Sequence, residues 1–148
     1  MTDRREAILS RIEEILGTID LASNVYRNKE DLTENMQPCF VLFDAHEEKV
    51  DIGEKIGMQS LGRAIVRMTP RIGVYVAGLP EDVGPQLNEM RLAALKSVFN
   101  DATLLSTITL NGDIVFEGCA TALDRGAEMV GEMILSIGFI YPLNPSEF

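Results

Sequence analysis

Apolar and polar positions alternate most regularly over residues 62–78. Ala64, Val66, Met68, Pro70, Ile72, Val74 and Val76 occupy the even positions, while Arg63, Arg67, Thr69, Arg71 and Tyr75 occupy the odd ones. A period of two places successive side chains on opposite faces, so this stretch predicts one strand with a buried face and a wet face. At about 3.3 Å per residue it would extend for roughly 40 Å from Ala64 to Val76 alone, well past the usual strand. Pro70 lacks a backbone donor, which favours an edge or a bulge near its middle.

The other elements follow from the same patterns. Ile8, Leu9, Ile12, Ile15, Leu16 and Ile19 recur at helical spacing, predicting a helix over 3–16 with Asp3 and Glu6 at its start and Gly17 beyond its end. Residues 24–28 suit a short strand, and 39–43 (Cys-Phe-Val-Leu-Phe) suit a buried one. Residues 45–61 are polar and contain Gly53 and Gly57, predicting a long loop or hairpin tip that serves recognition or is disordered. Residues 79–85 read as a loop, and a second helix is expected from Pro85 to about Phe99 with Leu87, Met90, Leu92, Ala94, Leu95, Val98 and Phe99 as its apolar set. Asn111-Gly112 between β-rich runs at 103–110 and 114–119 predicts a hairpin. Residues 124–131 read as a loop or helical turn, 133–141 as a final strand, and 143–148 as a loose tail. The expected order is α-β-β-β-α-β-β-β: a single α+β domain over 1–148, two-layered, with a mainly antiparallel sheet and two helices on one face.

Charge narrows the function. The chain of 148 residues carries a formal net charge of −10, which disfavours sequence-specific or general binding to nucleic acid. The amino terminus does not read as a signal peptide, and no run approaches the ~18 apolar residues of a membrane span, so synthesis in the cytoplasm and no membrane partner are expected. Cys39 and Cys119 lie in apolar runs and suit buried thiols rather than a disulfide framework or metal site. No nucleophile–base pair, phosphate loop or regular metal-ligand spacing stands out; catalytic residues, cofactor and metal are all expected to be none. His46, with nearby carboxylates, is the one group on which a small-molecule-binding or enzymatic reading could rest.

Arg63, Arg67 and Arg71 form a basic stripe along one face of the long strand. Such charges can protect an edge from unwanted pairing. They could also meet an acidic surface, such as Glu47, Glu48 and Asp51, on a neighbouring subunit, a self-complementary arrangement that suits a head-to-tail ring.

Taken together, the amphipathic start Arg4-Arg5-Glu6-Ala7-Ile8-Leu9-Ser10-Arg11, then Asn24-Val-Tyr-Arg-Asn28 and Gln37-Pro-Cys-Phe-Val-Leu-Phe-Asp44, the long strand after an acidic loop, the second helix and the last strand ending at Tyr141 resemble the tail terminator (minor tail, tail-completion) proteins of long-tailed bacteriophages and prophages. The resemblance implies an α+β virion protein, not an enzyme, that forms a homo-hexameric ring on the head-proximal end of the tail tube. Its expected partners are itself, the tail-tube protein and the head-tail connector. Neck and head-completion proteins are similar and remain the alternative.

Overall fold

The computed structural model describes residues 3–33, 36–50, 64–108, 112–125 and 129–143. Among these are three helices, α1 (Arg4–Gly17), α2 (Pro80–Phe99) and α3 (Ala102–Ile108). Seven strands make one sheet: β1 (Asn24–Arg27), β2 (Cys39–Phe43), β3 (Glu47–Lys49), β4 (Ala64–Met68), β5 (Arg71–Gly78), β6 (Asp113–Arg125) and β7 (Met129–Leu143). The fold is α+β, with a mainly antiparallel sheet.

The long alternating stretch forms β4 and β5 in succession. Both pair antiparallel with β7 in one unbroken register: Met68 faces Phe139 and Arg71 faces Ser136, with no residue gained or lost between them. Pro70 explains the interruption. Its carbonyl still accepts from the Ile137 N–H at 3.3 Å, but the return bond has no donor. Val66, Met68, Ile72, Val74 and Val76 are at most 5% exposed, as the alternation requires.

On the far side of this pair, β2 follows β5 and β3 follows β4. Phe43 faces Arg71 while Glu47 faces Met68, so the chain carries one extra residue between β2 and β3. Ala45, at φ 56°, lies in that bulge. β1 runs parallel to β2 at the margin. At the opposite margin β6 follows β7 along its whole length, with a second bulge where Phe116 faces Ile137 but Gly118 faces Ser136.

All three helices contribute to a single apolar cluster on one face of the sheet, joined by Phe40, Leu42, Met133, Leu135, Ile137, Phe139 and Tyr141. Asp3 caps α1, accepting from the Arg5 N–H. The helix is tied down by its arginines: Arg4 donates to the Pro142 carbonyl, Arg5 to the Ala45 carbonyl, and Arg11 to both oxygens of Asp101 at 3.0 and 2.7 Å. Asp101 also accepts from the Leu104 N–H and so starts α3.

Several sequence expectations are corrected here. Residues 45–61 are not all loop, because Glu47–Lys49 forms β3; residues 51–61 lie outside the described set. The second helix begins at Pro80 rather than Pro85. Pro80 fills the first turn, where its absent donor costs nothing, and Glu81 and Asp82 complement the helix dipole there. Pro85 lies inside α2, and Leu92 is 53% exposed. Over 103–108 the expected hairpin strand is instead a helix, Ala102–Ile108, with Leu104 and Ile108 buried four apart, while residues 109–111 of the expected hairpin lie outside the described set. Tertiary burial and the Asp101 cap override the β preference of Thr and Ile. Residues 114–119 belong to the much longer β6, and 124–131 contains the end of β6 and the start of β7. Leu143 closes β7, and the rest of the expected tail lies outside the described residues. Among the described residues there are thus three helices on the covered face, not two. Cys119 is exposed, while Cys39 is buried as expected.

Candidate functional surface

Strand alternation decides what the uncovered face presents. It carries Ile65, Arg67, Thr69, Arg71 and Tyr75 from β4, β5 and the link between them. β7 adds Glu132, Ile134, Ser136 and Ile140, and β6 adds Val115, Ala120 and Ala122. Ile65, Val115, Ile134 and Ile140 are partly exposed, and no described helix packs on them.

The predicted charges divide into three groups. Arg67 faces Glu48 in the β3–β4 ladder, and its Nε lies 3.6 Å from Glu117 Oε1, an ion pair longer than a hydrogen bond. The Glu117 side chain lies over Gly138, where a Cβ would collide with it. Glu47, one position along β3, points to the covered face and accepts a hydrogen bond from the Tyr141 hydroxyl. Burial, and then this carboxylate, raise the Tyr141 pKa well above the ordinary phenol value. Arg71 is exposed. Arg63 and Asp51 lie outside the described residues.

Beside Arg71 is a cleft of about 380 Å³, lined by Glu30, Phe43, Ala45, His46, Arg71, Tyr75, Glu132 and Ile134. The Tyr75 hydroxyl donates to Glu132 at 3.4 Å. Burial, followed by the Glu132 charge, raises Tyr75 to about 12, so it remains a neutral donor at neutral pH. The β1–β2 connection brings Glu30 over this end of the face, and Cys39 and Val41 are 0% exposed here. Burial alone raises the Cys39 thiol to about 11, which makes it a poor nucleophile. The cleft thus offers hydrogen-bond donors and carboxylates around an apolar wall. Among the described residues, no group of three His, Cys, Asp or Glu side chains could hold a metal ion.

Sequence reasoning missed two features. The first is Glu132, whose link to Tyr75 depends on cross-strand register that no local pattern carries. The second is a knot at the base of the sheet, where Arg27 donates to Glu6 at 2.8 Å and to Asp44 at 2.8 and 3.0 Å. Hydrogen bonds from Arg27 and then Ser10 pull Glu6 down to about 2. Arg27 likewise lowers Asp44.

The chain matches no protein-family model and no curated protein. No helix among the described residues is long and apolar enough to cross a membrane.

Proposed function

We propose that this chain is a non-enzymatic structural subunit of a phage tail. In this reading it assembles as a ring, a hexamer by the family resemblance, on the head-proximal end of the tail tube. The ring ends tube growth and offers a surface to the head-tail connector within the virion. The supporting observation is the one-sided helix layer: the sheet leaves Ile65, Val115, Ile134 and Ile140 partly exposed opposite the core, beside exposed Arg71. An apolar sheet face with scattered charges suits coverage by neighbouring protein. A neck or head-completion role would use the same surface. Light scattering across concentration and salt, alone and with tail-tube protein, tests the reading. A closed oligomer or a stable complex with tube protein is expected; a chain that remains monomeric and ignores the tube overturns it.

The cleft supports a second reading, as a small-molecule site, because it gathers His46, Tyr75, Glu132 and Glu30. Thermal stabilisation by a small ligand, abolished by His46→Ala, is the outcome that would favour it over the ring.

A further inference from the structure

The cleft on the open face lies where β1, β2, β5 and β7 run side by side, and strand register fixes what each contributes. Phe43 faces Arg71, Gly73 faces Ile134, and Tyr75 faces Glu132. Side chains two apart share a face, so Phe43, Arg71, Tyr75, Glu132 and Ile134 all rise from this one. The Asn28 N–H bonds to the Leu42 carbonyl, and the Asn28 side chain accepts from the Asp44 N–H. These bonds start the β1–β2 connection beside Phe43, so Glu30 enters the cleft from the β1 side and Glu132 from the β7 side. The Thr69 N–H bonds to the His46 carbonyl, which holds Ala45 and His46 at the Arg71 end.

Gly73 shapes the middle. A Cβ there would lie 2.6 Å from Tyr75 Cε2 and 3.1 Å from the Tyr75 hydroxyl oxygen, so the phenol ring lies back over the glycine. The hydroxyl and the Glu132 carboxylate, 3.4 Å apart, therefore meet near the level of Ile134. That separation is long for a hydroxyl donor, which leaves the Glu132 oxygens free to accept more.

Both signs of charge share this space without touching. Among the described residues, no ion pair joins Arg71 to Glu30 or Glu132, and the Arg71 and Glu30 side chains make no hydrogen bond. An anion drawn to Arg71 alone would meet two carboxylates, and a cation drawn to the carboxylates would meet Arg71. A ligand carrying both charges avoids each penalty. Phe43, Ala45 and Ile134 add an apolar wall. The volume of about 380 Å³ is near the lower end of the roughly 300–1,000 Å³ usual for ligand clefts, which suits a molecule of amino-acid size.

We propose that the cleft binds a small zwitterion, an amino acid with an apolar side chain, through its carboxylate on Arg71 and its ammonium group on Glu132 and Glu30. This rests on the small-molecule reading of the cleft and specifies its ligand. The guanidinium takes a carboxylate through two parallel N–H···O bonds, with the His46 ring at the same end. The ammonium group donates to the oxygens of Glu132, and the side chain packs on Phe43 and Ile134.

NMR titration of the isoleucine-labelled chain, read at the Ile134 methyl groups, tests this with leucine, leucine amide and N-acetyl-leucine. The amide lacks the carboxylate and the N-acetyl form lacks the ammonium group. Leucine should move the Ile134 signals saturably. Each blocked form should bind about tenfold more weakly or worse, the worth of one lost charge-assisted contact. Arg71→Gln should erase the advantage of leucine over its amide, and Glu132→Gln its advantage over N-acetyl-leucine. Circular dichroism and thermal melting establish that both variants fold. A blocked form that binds as tightly as leucine overturns the zwitterion, and so does either advantage surviving in its folded variant. If leucine leaves Ile134 unmoved while a panel of uncharged and singly charged fragments moves it, the ligand class falls and the small-molecule reading stands. If neither moves it, both fall.

Discussion

The two faces of the sheet come from the same strands yet are built differently. On the covered face, Val74, Leu135 and Phe139 are 0% exposed and belong to the cluster to which all three helices contribute. One residue away along the same backbone, Tyr75, Ile134 and Ile140 are only partly buried and face charges from other strands. The difference separates two kinds of sensitivity. Stability should reside on the covered face, and association on the open face. The variants below are ordered by their expected effect on that separation.

Leu135→Ala should cost about 2–5 kcal/mol, because it removes buried volume from the centre of the cluster. Urea unfolding would measure it, and a cost below about 1 kcal/mol would show a looser core than the packing indicates. Arg27→Ala should cost about 2 kcal/mol through lost charge-assisted bonds to Glu6 and Asp44. It should also change the pH profile. The folded pKa of Glu6 is depressed, so its contribution is fully present above the unfolded value near 4.5 and is lost as pH falls toward about 2. Asp44 and Asp101, also lowered, act in the same sense. The Arg27→Ala protein should therefore show a flatter loss of stability below pH 4.5, measured by melting across acid buffers; an unchanged slope would assign the acid limb to other carboxylates.

Gly131→Ala is a smaller probe of the covered face. A Cβ there would lie 2.5 Å from Val83 Cγ1 and 2.7 Å from Leu87 Cδ1, so overpacking of about 1–3 kcal/mol is expected in the same unfolding assay. Arg71→Glu should have the least effect on folding, within about 0.5 kcal/mol, as for exposed substitutions generally. Its effect should appear instead as weaker association in sedimentation. A large fall in melting temperature with unchanged association would reverse the division between the faces.

The covered face was the more legible in the sequence. The alternation over Val66, Met68, Ile72, Val74 and Val76, and over Met133, Leu135, Ile137, Phe139 and Tyr141, already named most of its sheet residues. Helix α1 was equally readable from its spacing and cap. Failures came where local preference opposed tertiary burial, as at Thr103 to Ile108, or where a proline was read as a boundary, as at Pro85. The open face was less legible. Arg67, Arg71 and Tyr75 could be assigned to it by alternation, but Glu132 and Glu117 join them only through strand register.

The three irregularities of the sheet fall on one line. The extra residue at Ala45, the missing donor of Pro70 and the extra residue beside Phe116 all lie at the level of Ile137 or one or two residues from it. Flat sheets resist bending because every rung of their ladders must bend together. Here the rungs along one row are weakened or offset in strand after strand, and bulges add local twist to the strands that carry them. That row acts as a crease. The halves on either side can tilt relative to each other with little loss of pairing, so changes in the curvature of the sheet are concentrated along this row.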